Sequence, residues 1–184
     1  MKIVLILLLF NYSDFQAPPS EDANAKFSQN DLYILREKSI IRGHYKDVAS
    51  EQNGGLMANA RLLYFHGDGE SKSPLRNRIY FSYANLGHAR CNLGQSMIVQ
   101  FLQAYEINTI RIRFWDPDDR IHNFKLFAIE KADSDETLIH EGSIHGLITI
   151  KFSDRLVSKI RILSNGNSIN EFMSVIKIQA FYAF

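Results

Sequence analysis

Apolar and polar residues alternate with a period of two along most of the C-terminal two-thirds of the chain. In the stretch 107–114, Ile110, Ile112 and Phe114 share one face, and arginines occupy the other. This pattern is typical of a β-strand with one buried and one solvated face. The same period predicts strands over residues 97–102, 107–114, 123–130, 137–141, 146–152, 156–163 and 172–182.

Because each predicted strand has one polar face, only the apolar faces of two sheets can share a core. We therefore predict an all-β fold, an antiparallel β-sandwich of jelly-roll type. The 184 residues, 46% of them hydrophobic, allow one domain with a substantial core. We place this domain at 31–184, after an N-terminal extension.

The first half of the chain carries weaker patterns. Residues 31–38 are compatible with a short helix or a strand, and residues 56–65 with a single helical turn. The glycine- and asparagine-containing stretches 67–75 and 85–94 are interpreted as loops. We therefore expect the strands in this half to be short and widely spaced.

Residues 1–30 form a hydrophobic segment and a polar linker, for which several interpretations remain open. Met1 and Lys2 precede eight apolar residues, and Ala23-Asn24-Ala25 offers a small-residue cleavage site, as in a secretory signal. The acidic, proline-containing stretch between them argues against a signal. A hydrophobic N-terminal strand or an imperfect gene start are the alternatives. Eight apolar residues are too few to cross a bilayer, so no transmembrane segment is predicted.

Charge and cysteine content exclude several function classes. The net charge is +1, so the molecule has no overall field that would recruit nucleic acid. Cys91 is the only cysteine, which excludes an internal disulfide and a thiolate pair for zinc. A lone cysteine favours a reducing compartment, and hence a cytoplasmic location. Secretion is the alternative if residues 1–25 are a signal.

The acidic segment after residue 114 is the first candidate for chemistry. Asp116, Asp118 and Asp119, with His122 nearby, contain the groups of a metal or acid/base site. The structural interpretation is that Asp116 caps the turn and that Asp119 pairs with Arg120. We favour it, because a solvated corner gives no reason for shifted pKa values. Trp115 is interpreted as a packing residue rather than as a platform for a sugar.

A second candidate is the segment 67–70, where Asp68 and Glu70 offer oxygen ligands for calcium. We favour a plain turn, because one short loop supplies fewer than the about six to eight ligands that calcium takes. His66 and His88 lack partners at metal-binding spacing, so we expect them to be unliganded. Neither a nucleophile elbow nor a phosphate-binding loop is present, so we predict no enzyme activity.

Several motifs together resemble one family over residues 40–184. They are Leu62-Leu63 before Gly67-Asp68, Leu93-Gly94-Gln95, Ile110-Arg111 followed by Trp115-Asp116 and Asp118-Asp119-Arg120, Lys159-Ile160-Arg161-Ile162 followed by Asn165, Asn167 and Asn170, and Phe172 with Val175. In this combination the chain is similar to the discoidin-like domains of the coagulation factor V/VIII type C kind. The likeness is strongest to the pair at the C-terminus of BTB/POZ-domain-containing protein 9 and its relatives. The resemblance implies a galactose-binding-like jelly roll without a cofactor.

From these observations we predict a non-catalytic binding module whose contacts come from loops at one end of the sandwich. The first hypothesis is a protein–protein interaction domain of an intracellular adaptor or assembly. The alternative is a secreted or surface lectin that binds carbohydrate with the same loops. The candidate binding residues are Asp68, Glu70, Trp115, Asp116, Asp118, Asp119, Arg120, Asn165, Asn167 and Asn170.

Overall fold

The computed structural model of the protein describes residues 47–59, 62–65, 73–76, 87–130 and 136–183. Apart from one turn of 3-10 helix at Glu51–Asn53, the regular elements in these ranges are strands. The predictions made for residues 1–30, residues 31–38, His66, and Asp68 with Glu70 fall outside the described ranges. The strands are β1 (Leu56–Met57), β2 (Leu63–Phe65), β3 (His88–Asn92), β4 (Ser96–Phe114), β5 (His122–Ile129), β6 (Thr137–Ile144), β7 (Leu147–Asn167) and β8 (Phe172–Phe181).

The strands pair antiparallel in the order β2-β3-β8-β4-β7-β5-β6, and β1 pairs with β4. Strands β4 and β7 pair along nearly their whole length. However, β8 pairs with β4 only along the C-terminal part of β4, and β5 pairs with β7 only along the C-terminal part of β7. The two long strands therefore belong to both layers of the sandwich. Register shifts between Gln100 and Tyr105 and between Ile107 and Thr109 mark where β4 changes layer.

The predicted antiparallel all-β sandwich is confirmed, with one difference in how its strands are divided. The predicted strands 97–102 and 107–114 are parts of β4, and 146–152 and 156–163 are parts of β7. A bulge interrupts the alternation of faces without ending the strand, so one bent strand has the sequence pattern of two.

The core lies between the two layers and is built from the inward residues of the alternating pattern. Phe114 and Phe124 are fully buried at its centre, with their ring centroids 4.8 Å apart. Each such side chain stabilises the fold by about 1.5–3 kcal/mol through burial. Other fully buried side chains are Ile110, Ile112, Leu126, Ile160, Ile162 and Met173.

The first half of the chain differs from its prediction. The expected loop 85–94 contains β3, whose inward residues Ala89 and Cys91 are buried. These two residues are small, so the apolar half of the alternation is hard to recognise in the sequence. The expected helical turn at 56–65 contains β1 and β2 instead. The helical turn lies at Glu51–Asn53, where Ser50 Oγ accepts a hydrogen bond from Gln52 N at 3.3 Å.

A buried polar cluster attaches the first described residues to β8. Asp47 Oδ1 accepts hydrogen bonds from Ala180 N at 3.0 Å and Ala49 N at 3.2 Å. Lys177 Nζ donates to the carbonyl of Arg76 and lies 3.7 Å from Asp47 Oδ2. Burial raises the pKa of the Asp47 carboxyl and lowers the pKa of the Lys177 ammonium. In the described ranges, no helix has the length and apolar character of a membrane span.

Candidate functional site

Two of the predicted loops meet at one end of the sandwich. The corner, residues 115–121, joins β4 to β5, and the Asn loop, residues 164–171, comprises the end of β7 and the turn that leads to β8. Ser168 N donates to Ile121 O at 2.9 Å, and Ile121 N donates to Ser168 Oγ at 3.0 Å. The structure thus brings the candidate residues of the corner next to those of the Asn loop. Their role in binding stays a prediction.

The aspartates of the corner are engaged mainly with arginines. Arg120 Nε donates to Asp118 Oδ1 at 2.6 Å, and its Nη2 donates to Asp118 Oδ2. These bonds hold the pKa of the Asp118 carboxyl below its usual value. Asp116 also pairs with an arginine, since its Oδ2 accepts from Arg113 Nη2. The expected ion pair between Asp119 and Arg120 is therefore wrong, because Asp118 also accepts from Arg120 N at 3.3 Å and this turn holds its carboxylate beside the guanidinium.

His122 points into the core rather than toward the aspartates. It is fully buried, its ring lies 5.1 Å from that of Phe114, and its Nε2 is 3.3 Å from the carbonyl oxygen of Trp115. Burial lowers the pKa of His122 to about 4, so the ring is neutral at pH 7. Within the described ranges, no three metal-ligating side chains lie together.

The Asn loop is held by its own side chains. Asn167 Nδ2 donates to Asn170 Oδ1 at 2.8 Å and to the carbonyl of Phe172. Asn167 Oδ1 accepts from Ile169 N at 2.8 Å and from Asn170 N at 2.9 Å. Asn170 Oδ1 also accepts from Phe172 N at 3.0 Å. Asn167 thus uses its full hydrogen-bonding capacity inside the loop, and with Asn170 it positions Phe172.

Beside these loops, five planar side chains form a row that we call the aromatic strip: Phe65, His88, Arg90, Trp115 and Phe172. The Arg90 Cζ lies 4.9 Å from the ring centroid of Phe172 and 4.4 Å from that of Phe65. The ring of Phe65 stacks on His88 at 4.9 Å, and His88 lies 4.4 Å from the ring of Trp115. His88 is buried inside the row, whereas the other four side chains are half-buried.

Strand pairing assembles the strip from four separate segments. Phe65 lies opposite His88 across β2 and β3, and Arg90 lies opposite Ser174 across β3 and β8. Trp115 N donates to Ser174 O at 3.0 Å, which places the start of the corner beside β8. Sequence reasoning included Trp115 but assigned no binding role to Phe65, His88, Arg90 or Phe172. The sequence signal for these residues is the alternation in β3, where His88 and Arg90 lie on the outward face, on either side of the inward Ala89.

Arg90 differs from the other arginines of this end in having no acidic partner. Arg113 and Arg120 each pair with an aspartate. Among the residues that the structure describes, Arg90 makes no ion pair, and its buried Nε has no hydrogen-bond acceptor. Burial lowers the pKa of Arg90, and the positive charge of Arg120 lowers it further. Among the described residues, no carboxylate therefore compensates the positive charge of Arg90 in the strip.

The sequence matches no protein-family model and no curated protein. Solved structures resemble the fold. The CBM32 module of AlyQ, in complex with 4,5-unsaturated mannuronic acid, is 21% identical over 70% of this chain and 97% of its own, with a TM-score of 0.51. A longer AlyQ structure, with its alginate lyase domain, matches over 34% of its length. Chitosan-binding module 1 of a chitosanase/glucanase from Paenibacillus sp. IK-5 is 12% identical over 75% of this chain and 99% of its own, with a TM-score of 0.51.

At this level of identity the likeness concerns the fold. The chain shares an antiparallel jelly-roll fold with these modules, as the resemblance to discoidin-like domains implied. The finer likeness to BTB/POZ-domain-containing protein 9 has no support from these comparisons.

Proposed function

We propose that this chain is a non-catalytic carbohydrate-binding module and that the aromatic strip is its sugar-binding surface. The observation that carries the proposal is the row of planar side chains at the surface, beside the two loops of the corner end. The half-buried rings of Phe65, Trp115 and Phe172 lie outside the hydrophobic core. Aromatic surface with a few polar groups is the usual lining of a small-molecule site.

In this proposal, some loop residues support the aromatic strip, and others lie at its edge and can contact the ligand. Asn167, Asn170 and Asp118 are committed to internal bonds, so they hold Phe172 and Arg120 in place. Asn165 and Asp119 are exposed and can approach a ligand at the rim. Of the predicted binding residues, we therefore assign direct contact to Trp115 first and to Asn165 and Asp119 second.

The fold neighbours support carbohydrate over protein as the ligand. The AlyQ module was solved with an unsaturated mannuronic acid, and the Paenibacillus module is described as chitosan-binding. Both are binding modules rather than catalytic domains, and both match this chain over nearly their whole length. The lectin alternative from the sequence is accordingly our main hypothesis. The intracellular protein adaptor stays a prediction that these neighbours do not support.

Two phenylalanines of β8 give a matched test. Phe172 belongs to the strip, whereas Phe181 lies at the other end of β8 with the Arg111 Cζ 5.6 Å from its ring centroid. Both are half-buried rings beneath an arginine. Binding of the full chain to a glycan array should identify a ligand, and Phe172→Ala should weaken that binding by about tenfold or more. Phe181→Ala should change it by less than about twofold.

Two outcomes would overturn the proposed function. One is a folded wild-type protein that binds no glycan on an array of neutral, acidic and amino sugars. The other is an equal loss of affinity in the Phe172→Ala and Phe181→Ala variants, since the strip would then be no more important than a remote surface ring. Circular dichroism of each variant shows whether the sandwich is intact.

A further inference from the structure

The charge of Arg90 narrows the class of sugar, if the proposed function holds. We infer that the carbohydrate bound at the aromatic strip carries an acidic group, a carboxylate or a sulfate, and that Arg90 binds this group.

The two phenyl rings hold the guanidinium without using its hydrogen-bond donors. The Arg90 Cζ lies between Phe65 and Phe172, at 4.4 and 4.9 Å from their ring centroids. A ring attracts a cation through its π face, but it is no substitute for the oxygen acceptors that an N–H group prefers. In the described part of the chain, the buried Nε of Arg90 has no hydrogen-bond acceptor, and Arg90 makes no ion pair. The two rings thus fix the side chain in position, and within the described residues no ion pair occupies its terminal Nη donors.

The charged side chains that the structure describes around Arg90 do not neutralise it. Asp118 is committed to Arg120 through two bonds, and Asp116 is committed to Arg113. Burial lowers the pKa of Arg90, and repulsion from the positive charge of Arg120 lowers it further. An arginine nevertheless stays protonated in proteins. An anion at Arg90 would relieve this repulsion, whereas a neutral hydroxyl would leave it in place.

The planar fork of a guanidinium suits a carboxylate or a sulfate. Two parallel N–H···O bonds to such a group are shorter and about twice as strong as bonds to a neutral acceptor. A sugar ring stacked on Phe172 or Trp115 would place a substituent within reach of the intervening Arg90. Aromatic stacking would then give affinity for the ring, and Arg90 would select its acidic substituent.

The test uses pairs of glycans that differ only in the acidic group. Uronate-containing oligosaccharides are arrayed beside their carboxyl-reduced forms, and sulfated oligosaccharides beside their desulfated forms. The full-length wild-type protein should bind at least one acidic glycan about tenfold or more tightly than its neutral counterpart. Which series gives the preference identifies carboxylate or sulfate as the group. The affinity should also fall as salt is raised.

Arg90→Met removes the charge and keeps an unbranched apolar chain between the two rings. This variant should bind the acidic glycan no better than its neutral counterpart and should lose the salt dependence. Arg161→Met is the matched control, because Arg161 also lies over a phenyl ring, 4.2 Å from the centroid of Phe127, but outside the strip. The folded fraction of the Arg161→Met variant should still bind the acidic glycan more tightly than its neutral counterpart.

The outcomes separate this inference from the proposed function. Equal binding of acidic and neutral partners, or an acidic preference that survives Arg90→Met, would overturn the role of Arg90 while the carbohydrate function stands. Absence of binding to every glycan would overturn both. Loss of the acidic preference in Arg90→Met but not in Arg161→Met would support the inference.

Discussion

Arg90 and Arg161 look alike by position but differ in their bonds. Both lie on strands, both are half-buried, and both have a guanidinium over a phenyl ring. Arg161 Nε donates to Glu136 Oε1 at 2.7 Å, its Nη2 donates to Glu136 Oε2, and its Nη1 donates to Ser96 Oγ at 3.1 Å. Arg90 contacts two rings and, within the described ranges, makes no ion pair, and its buried Nε has no hydrogen-bond acceptor.

The difference shows that ring contact alone does not reveal what an arginine does. Through its carboxylate and hydroxyl partners, Arg161 connects β4, β7 and the residue that precedes β6. Its interactions are complete inside the fold, so we assign it to the scaffold. Arg90 contacts two rings but makes no ion pair with a described residue, so we assign it to the ligand-binding surface. Each of the following predictions tests this distinction.

The largest expected effect is on stability when the two arginines are replaced in the same way. Arg161→Met should lower the free energy of unfolding by about 1–2 kcal/mol, because it removes the ion pair with Glu136 and the hydrogen bond to Ser96. Arg90→Met should change it by about 0.5 kcal/mol or less, because methionine keeps the packing between Phe65 and Phe172. Urea unfolding of both variants at pH 7 measures the difference. Equal losses would contradict the division into scaffold and site.

A second prediction concerns a variant in which Arg90 gains an acidic partner, as Arg161 has in Glu136. Leu63 is directly opposite Arg90 across β2 and β3, and 56% of its surface is exposed. Leu63→Glu should place a carboxylate beside the guanidinium and lower the affinity for an acidic glycan by about tenfold, a cost of about 1.4 kcal/mol. Isothermal titration calorimetry measures the affinity.

Leu63→Gln is the control for this experiment, because it has nearly the same shape without the charge. It should keep the affinity within about twofold of the wild type. If the glutamine variant loses as much affinity as the glutamate variant, the apolar surface of Leu63 and not the charge of Arg90 is what the ligand needs.

The sequence was most informative where the inward residues are large. The inward face of β4 was identified from its large apolar residues Ile110, Ile112 and Phe114, which are fully buried. In β3 the inward residues are Ala89 and Cys91, which are too small to outweigh the polar residues around them. The strand was therefore predicted as a loop, and with it the outward positions of His88 and Arg90 were missed.

The site was partly predictable for a related reason. Turn chemistry identified the corner and the Asn loop, because proline, aspartate and asparagine act locally. The strip depends on register between strands that are far apart in sequence, such as the pairing that places Phe65 opposite His88. Local sequence also could not distinguish Asp118 from Asp119 as the partner of Arg120. Only the direction of the turn decides which carboxylate meets the guanidinium.

The smallest expected effect is a difference in pH dependence between the two arginines. The hydrogen bonds from Arg161 lower the pKa of Glu136 below its ordinary value of 4.5. A carboxyl with a lowered pKa in the folded state stabilises the fold above its unfolded pKa, and this contribution is lost as the pH falls through the folded pKa. Glu136→Gln should therefore cost about 0.2–1 kcal/mol at pH 7 and progressively less as the pH falls below 4.5.

Arg90 should give no such dependence, because no carboxylate of the described residues is bonded to it. The change in unfolding free energy caused by Arg90→Met should be the same at pH 3 and pH 7, whereas that caused by Arg161→Met should be larger at pH 7. Urea unfolding of the wild type and both variants at the two pH values measures these changes. Because each change is taken relative to the wild type, the pH dependence that Asp118 contributes to all three proteins cancels. A cost of Arg90→Met that grows between pH 3 and pH 7 would reveal a carboxylate already paired with Arg90. The positive charge of the strip would then be neutralised within the fold, and an acidic sugar would gain no advantage there.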